Sequence, residues 1–267
     1  MKSLRTTFAM ISAVTVLGVA AGCGGTGDTG GSGGPAGAEA TAAAPVTTPA
    51  DPKEAFLASY KALEAGHYAY SVNVSGTEST GIVYAPTKSA STHNVGEVDG
   101  NAFTTDTIFA DGKTFVRMDL GSEGNERLGI KAGTWYEVDT AVAKKLDYTF
   151  EELSPVQPNF HSSVVTAERD GDKAFRGTFD FSVAAEGNPN PQTETLVQNL
   201  GDAAKSIAFT AKLDDRNRIS ELVWTFEKTE KTPAYVQKIS FSEYGTANAP
   251  SAPAAEKAPA ALNEIYA

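Results

Sequence analysis

Apolar residues recur at helical spacing before Gly66 and fall on alternate positions after it, so one glycine divides two periods. On the helical side, Phe56, Tyr60 and Leu63 stand at i, i+4 and i+7, with Leu57 flanking. Asp51 can accept from the free amides of the first turn, and Pro52 suits the first helical position. The spacing predicts a one-faced helix of about fourteen residues from Asp51-Pro52, stopped at Gly66, that must lie on something apolar.

Beyond Gly66 the period of two predicts strands. Tyr68, Tyr70, Val72 and Val74 alternate with small or polar residues, and shorter runs follow at 82–85 and 93–98. Residues 101–118 read as a hairpin: Phe103, Thr105, Thr107 and Phe109 alternate, Asp111-Gly112 offers a tight turn, and 114–118 returns. Residues 121–133 read as a loop that ends in the aromatic segment 134–139, after which Asp139 or Thr140 caps a short helix to about Leu146. In the second half, 161–167 pairs with 174–183 across Arg169-Asp170-Gly171-Asp172. A helix over about 193–200 is stopped by Gly201. Strands at 205–213 and 218–228 flank the turn 214–217, and 234–244 forms the last strand.

Eight to ten strands joined largely by hairpins, with helices before or between them, specify an α+β domain on one large antiparallel sheet. A sheet of that size curls into a half-barrel, and helices packed on its inner face enclose apolar volume, where ligand pockets arise. The residues expected to line that volume are Phe56 and Tyr60 on the first helix, Val72, Val74, Phe109 and Trp135 in the first half, and Leu196 and Leu200 on the later helix. Four later strands add Phe179 and Phe181, Ile207 and Phe209, Leu222, Trp224 and Phe226, and Ile239 and Phe241. The competing expectation is that these stripes make only a solid core.

The chain before the domain carries a different signal. Lys2 and Arg5 precede the apolar run 8–19, which is of signal-peptide length and too short to span a bilayer comfortably. Ala20-Ala21-Gly22 then lead into the only cysteine, Cys23. This resembles the bacterial lipobox, with Ala20 where leucine is commonest, and the resemblance implies a diacylglyceryl thioether on Cys23 as the first mature residue. At about 0.8 kcal/mol per buried methylene, two acyl chains hold a soluble domain on a membrane without a spanning helix. The domain plan is therefore signal peptide 1–22, lipidated cysteine and Gly/Ala/Pro/Thr-rich tether 23–50, one α+β domain 51–245, and a disordered tail 246–267 in which Leu262, Ile265 and Tyr266 dock only weakly.

Charge and chemistry narrow the function. The formal charge is −11 from 22 basic and 33 acidic residues, and removal of Lys2 and Arg5 takes it to −13. That balance argues against nucleic acid and against electrostatic adhesion to anionic lipid. With Cys23 consumed, no disulfide is available within the mature chain. The glycines Gly25, Gly27 and Gly30 match a dinucleotide-binding pattern only formally, because no strand precedes them and no helix follows directly. His67, His93 and His161 lack metal-ligand spacing, no nucleophile elbow is present, and the adjacent pairs Glu151-Glu152 and Asp214-Asp215 point to opposite faces of an extended chain. The expectation is a non-enzyme without cofactor or metal.

The order of elements also resembles the actinobacterial lipid-carrying lipoproteins of the LppX/LprAFG type, whose fold is similar to the LolA and LolB carriers. The resemblance rests on the lipobox and tether, the opening helix DPKEAFLASYKALE, the segment GTWYEVD at 133–139, the hairpin AKLDDRNRISELVW at 211–224 and the ending ISFSEYGTANAP at 239–250. It implies a half-barrel whose cavity accepts acyl chains of lipids or glycolipids, in a monomer held at the extracytoplasmic face of the cell membrane. The alternative is an envelope interaction module with a filled core and no ligand.

Overall fold

The computed structural model describes residues 48–74, 77–98, 100–139, 141, 153–155, 159–186 and 191–265. Helix α1 (Pro52–Glu64) leads into β1 (His67–Val74), β2 (Thr77–Tyr84), β3 (Ser89–Val98), β4 (Asn101–Ala110) and β5 (Lys113–Asp119). Helix α2 (Gly121–Leu128) and the short β6 (Tyr136–Glu137) close the first half. The second half runs α3 (Phe160–Ser163), β7 (Val164–Arg169), β8 (Ala174–Phe179), α4 (Phe181–Ala184), α5 (Pro191–Leu200), β9 (Ile207–Leu213), β10 (Ile219–Phe226) and β11 (Tyr235–Ser242). It ends in β12 (Glu256–Lys257) and α6 (Ala260–Ile265). All strands join one open, curved sheet in the order β12-β6-β5-β4-β3-β2-β1-β11-β10-β9-β8-β7, antiparallel throughout except for the parallel β12–β6 pair. The protein is thus the α+β half-barrel its sequence specifies.

Local chemistry explains the elements that match. Asp51 caps α1 by accepting from the Glu54 amide at 2.9 Å, and the buried face of the helix is Ala55, Phe56, Ser59, Tyr60 and Leu63. Asp111 and Gly112 both take positive φ, 53° and 71°, which a two-residue hairpin needs to follow the strand twist. The predicted strands 82–85 and 93–98 are longer in the structure. Their missed inward positions are Ser79, Gly81 and Thr92, too small or polar to register as an apolar alternation.

Other expectations are corrected. The predicted loop 121–133 contains α2, whose only buried residue is Leu128. Its start is held by side chains: Asp119 accepts from the Gly121 amide and from Asn125, and Asn125 accepts from the Leu120 amide. The predicted strands 161–167 and 174–183 are shorter, because 160–163 and 181–184 form single helical turns, the latter capped by Asp180 on the Ser182 and Val183 amides. Those turns put Phe160 and Phe181 into the core. The predicted helix from 139 to about 146 falls mostly outside the described residues. The tail from 246 is not disordered where described: β12 extends the sheet, and Leu262 of α6 is wholly buried against Val116, Leu128, Ile130, Tyr136 and Val138. Its partners lie more than a hundred residues upstream, so no local pattern marks it.

Candidate functional site

Most of the expected lining residues come together among the described residues as one buried apolar cluster. Phe56, Tyr60, Val72, Phe179, Phe181, Leu200, Ile207, Phe209, Leu222, Trp224, Phe226, Ile239 and Phe241 are all buried in one cluster between α1 and the sheet, with Leu196 packed against it. Phe56 stacks on Phe209 at 4.7 Å between ring centroids, and Tyr60 on Phe160 at 4.9 Å. Phe160 in turn stacks on Trp224 at 5.8 Å. Rings in contact at these distances leave no space for an acyl chain between them. Val74, Phe109 and Trp135 are half-buried and stand apart from this cluster. Cys23 lies outside the described residues.

A groove of about 380 Å³ opens elsewhere, on the face of the sheet turned away from α1. Alternation decides the face: Tyr68, Tyr70 and Val72 of β1 point into the core, so Ala69 and Ser71 point the other way. Strand register then builds two rows across β1 to β5. One reads Ala69, Ile82, Ser91, Ile108 and Phe115; the other reads Ser71, Thr80, His93, Asp106 and Arg117. Trp135, just before β6, continues the second row and walls the groove.

The second row is a ladder of contacts. His93 Nδ1 donates to Asp106 Oδ1 at 2.7 Å, and Arg117 Nε donates to Asp106 Oδ2 at 2.9 Å. The Arg117 guanidinium lies over the Trp135 ring at 4.8 Å. Asp106 is only 14% exposed in its side chain while His93 is 47% exposed, so the carboxylate is the inner member and the imidazole the outer one. With Nδ1–H committed to Asp106, neutral His93 carries its lone pair on Nε2. Each Asp106 oxygen already holds a strong donor, and Arg117 cancels its charge. A His–Asp pair of this kind is also half of a nucleophilic triad. The hydroxyls beside it, Thr80 and Ser91, sit on adjacent paired strands, without the sharp turn and converging amides that acyl-transfer chemistry uses.

Beneath the groove, Tyr70 lies across Gly81 on the opposite face and donates to the Leu153 carbonyl at 3.0 Å. A side chain at Gly81 would overlap the Tyr70 ring and the Ser91 carbonyl, so the glycine is required by this crossing. Burial pushes the Tyr70 phenol up to about 12. Farther along this outward face, Glu221 pairs with Lys212 and Lys238 and is held below the usual carboxylate range by their hydrogen bonds.

The sequence puts His93 on a strand and Trp135 in an aromatic segment among the expected cavity lining, without bringing them together, and it does not mark Asp106 or Arg117. The available signal was polar residues at the outward positions of a hairpin; their meeting depends on cross-strand register. The fold and the groove define a half-barrel α+β protein with an amphipathic cleft on the face away from its helix. No family model and no curated protein matches the chain, so its role is read from this geometry.

Proposed function

We propose that the chain is an extracytoplasmic lipoprotein, held on the cell membrane by a diacylglyceryl group on Cys23, that binds an apolar ligand, a lipid acyl chain, without catalysis or cofactor. At the helix–sheet interface, where the sequence places that ligand, the described aromatic rings pack on one another; the proposed site is the outward groove. The observation that carries this reading is the row Ala69, Ile82, Ser91 and Ile108, apolar but for Ser91, set directly beside the His93–Asp106–Arg117 ladder as a track with a polar margin. Its volume of about 380 Å³ lies within the range of roughly 300–1,000 Å³ typical of small-molecule sites.

The test is extraction of the full chain carrying Cys23→Ser, purified from its native host, with organic solvent. The expected result is a co-purifying acyl lipid that is lost in Ile108→Glu, whose carboxylate would lie on the apolar track. Absence of lipid together with no binding of any added amphiphile overturns the reading. The stacked aromatic core favours a second one, an interaction module with a filled interior, and crosslinking in cells that captures an envelope protein through this face while no lipid is found would establish it.

A further inference from the structure

We infer that the ligand of this groove carries an uncharged, hydroxyl-bearing head, placed against His93, Thr80 and Ser91; the inference rests on the reading of the groove as an acyl-chain site. The charge on the ladder is already balanced inside the protein. Asp106 accepts from both His93 and Arg117, so neither its oxygens nor its charge invites a cationic head. The Arg117 guanidinium covers the Trp135 ring, the surface on which a quaternary ammonium would otherwise sit.

An anionic head fares no better. Arg117, the only permanent cation of the ladder, is paired with Asp106. The next row on the same face carries Glu78 and Asp119, two residues along from Thr80 and Arg117, and the whole chain is at −11. What the groove offers is the His93 imidazole, whose Nε2 accepts in the tautomer that puts the Nδ1 proton on Asp106, beside the Thr80 and Ser91 hydroxyls, which both donate and accept. A hydroxyl on the ligand matches that set: its proton goes to Nε2 and its lone pairs take a proton from Ser91 or Thr80. Arg117 is a positioning residue here, fixing Asp106 and the Trp135 wall without facing the groove itself.

The chain has two tryptophans, Trp224 in the buried core and Trp135 at the groove, so emission from Trp135 reports occupancy and is removed by Trp135→Phe. The full chain with Cys23→Ser is titrated with a monoacylglycerol, a fatty acid and an alkylamine of equal chain length, each below its critical micelle concentration. The expected order is monoacylglycerol at least tenfold tighter than either charged amphiphile. Asp106→Asn, which leaves Arg117 uncompensated, is expected to cut the preference over the fatty acid by tenfold or more. A fatty acid or alkylamine binding as tightly as the monoacylglycerol overturns the head-group inference while leaving the acyl-chain reading intact, as does an unchanged preference in Asp106→Asn. No response to any of the three overturns the acyl-chain reading itself.

Discussion

Gly81 and Gly177 show how single residues fix where the sheet brings side chains over backbone. A β-carbon at Gly177 would overlap the Thr166 carbonyl and the Phe209 ring, as one at Gly81 would overlap Ser91 and Tyr70. Backbone cannot give way as a flexible side chain does, so Gly177→Ala is expected to lower stability by about 1–3 kcal/mol in urea unfolding. The buried tyrosines give a second residue-scale expectation. Burial raises the phenols of Tyr60, Tyr68, Tyr70 and Tyr244 above the ordinary 10.0. The unfolded chain therefore releases these protons at a lower pH than the fold does, and the stability they contribute is whole below 10 and lost as pH rises from 10 towards about 12 for Tyr70. A series of urea midpoints across that window should fall steeply, and the fall should be shallower in Tyr70→Phe. Neither effect is legible in the sequence, because a glycine's neighbour on the next strand and a tyrosine's depth are both set by register.

Elements divide by how local their determinants are. Helix α1 is legible because its cap, its apolar stripe and its stop all lie within residues 51–66. The hairpin of β4 and β5 is legible because Asp111-Gly112 supplies its turn. Helix α2 is not, since polar side chains of Asp119 and Asn125 start it and only Leu128 is buried. The C-terminal tail is the clearest case of an element made by its partners: Glu256 and Lys257 pair with Tyr136 and Glu137, and Asn263 accepts from the Asp139 amide. Leu262 closes the second apolar cluster, so Leu262→Ala should cost about 2–5 kcal/mol and raise hydrogen exchange in β5 and β6, whose apolar residues it covers. If exchange rises only within α6, the tail is an appendage and not part of the core.

At the scale of the whole molecule, the proposed anchor at Cys23 lies outside the described fold. The described fold begins beyond Cys23, so Cys23→Ser is expected to move the protein from the membrane fraction to the medium, or to block its maturation, with an unchanged circular dichroism spectrum. Retention at the membrane would count against lipidation. The same separation shows where sequence and structure each decide. The sequence by itself determined the α+β class, the single large sheet, the order of most elements and many members of the aromatic core, because periodicity, caps and turns act within a few residues. Only the tertiary structure decided which described aromatic rings of this core touch, since that depends on how closely α1 and the sheet approach. It alone also assembled Ala69, Ile82 and Ile108 beside His93, Asp106, Arg117 and Trp135, because cross-strand register, which no local pattern encodes, sets which outward side chains become neighbours.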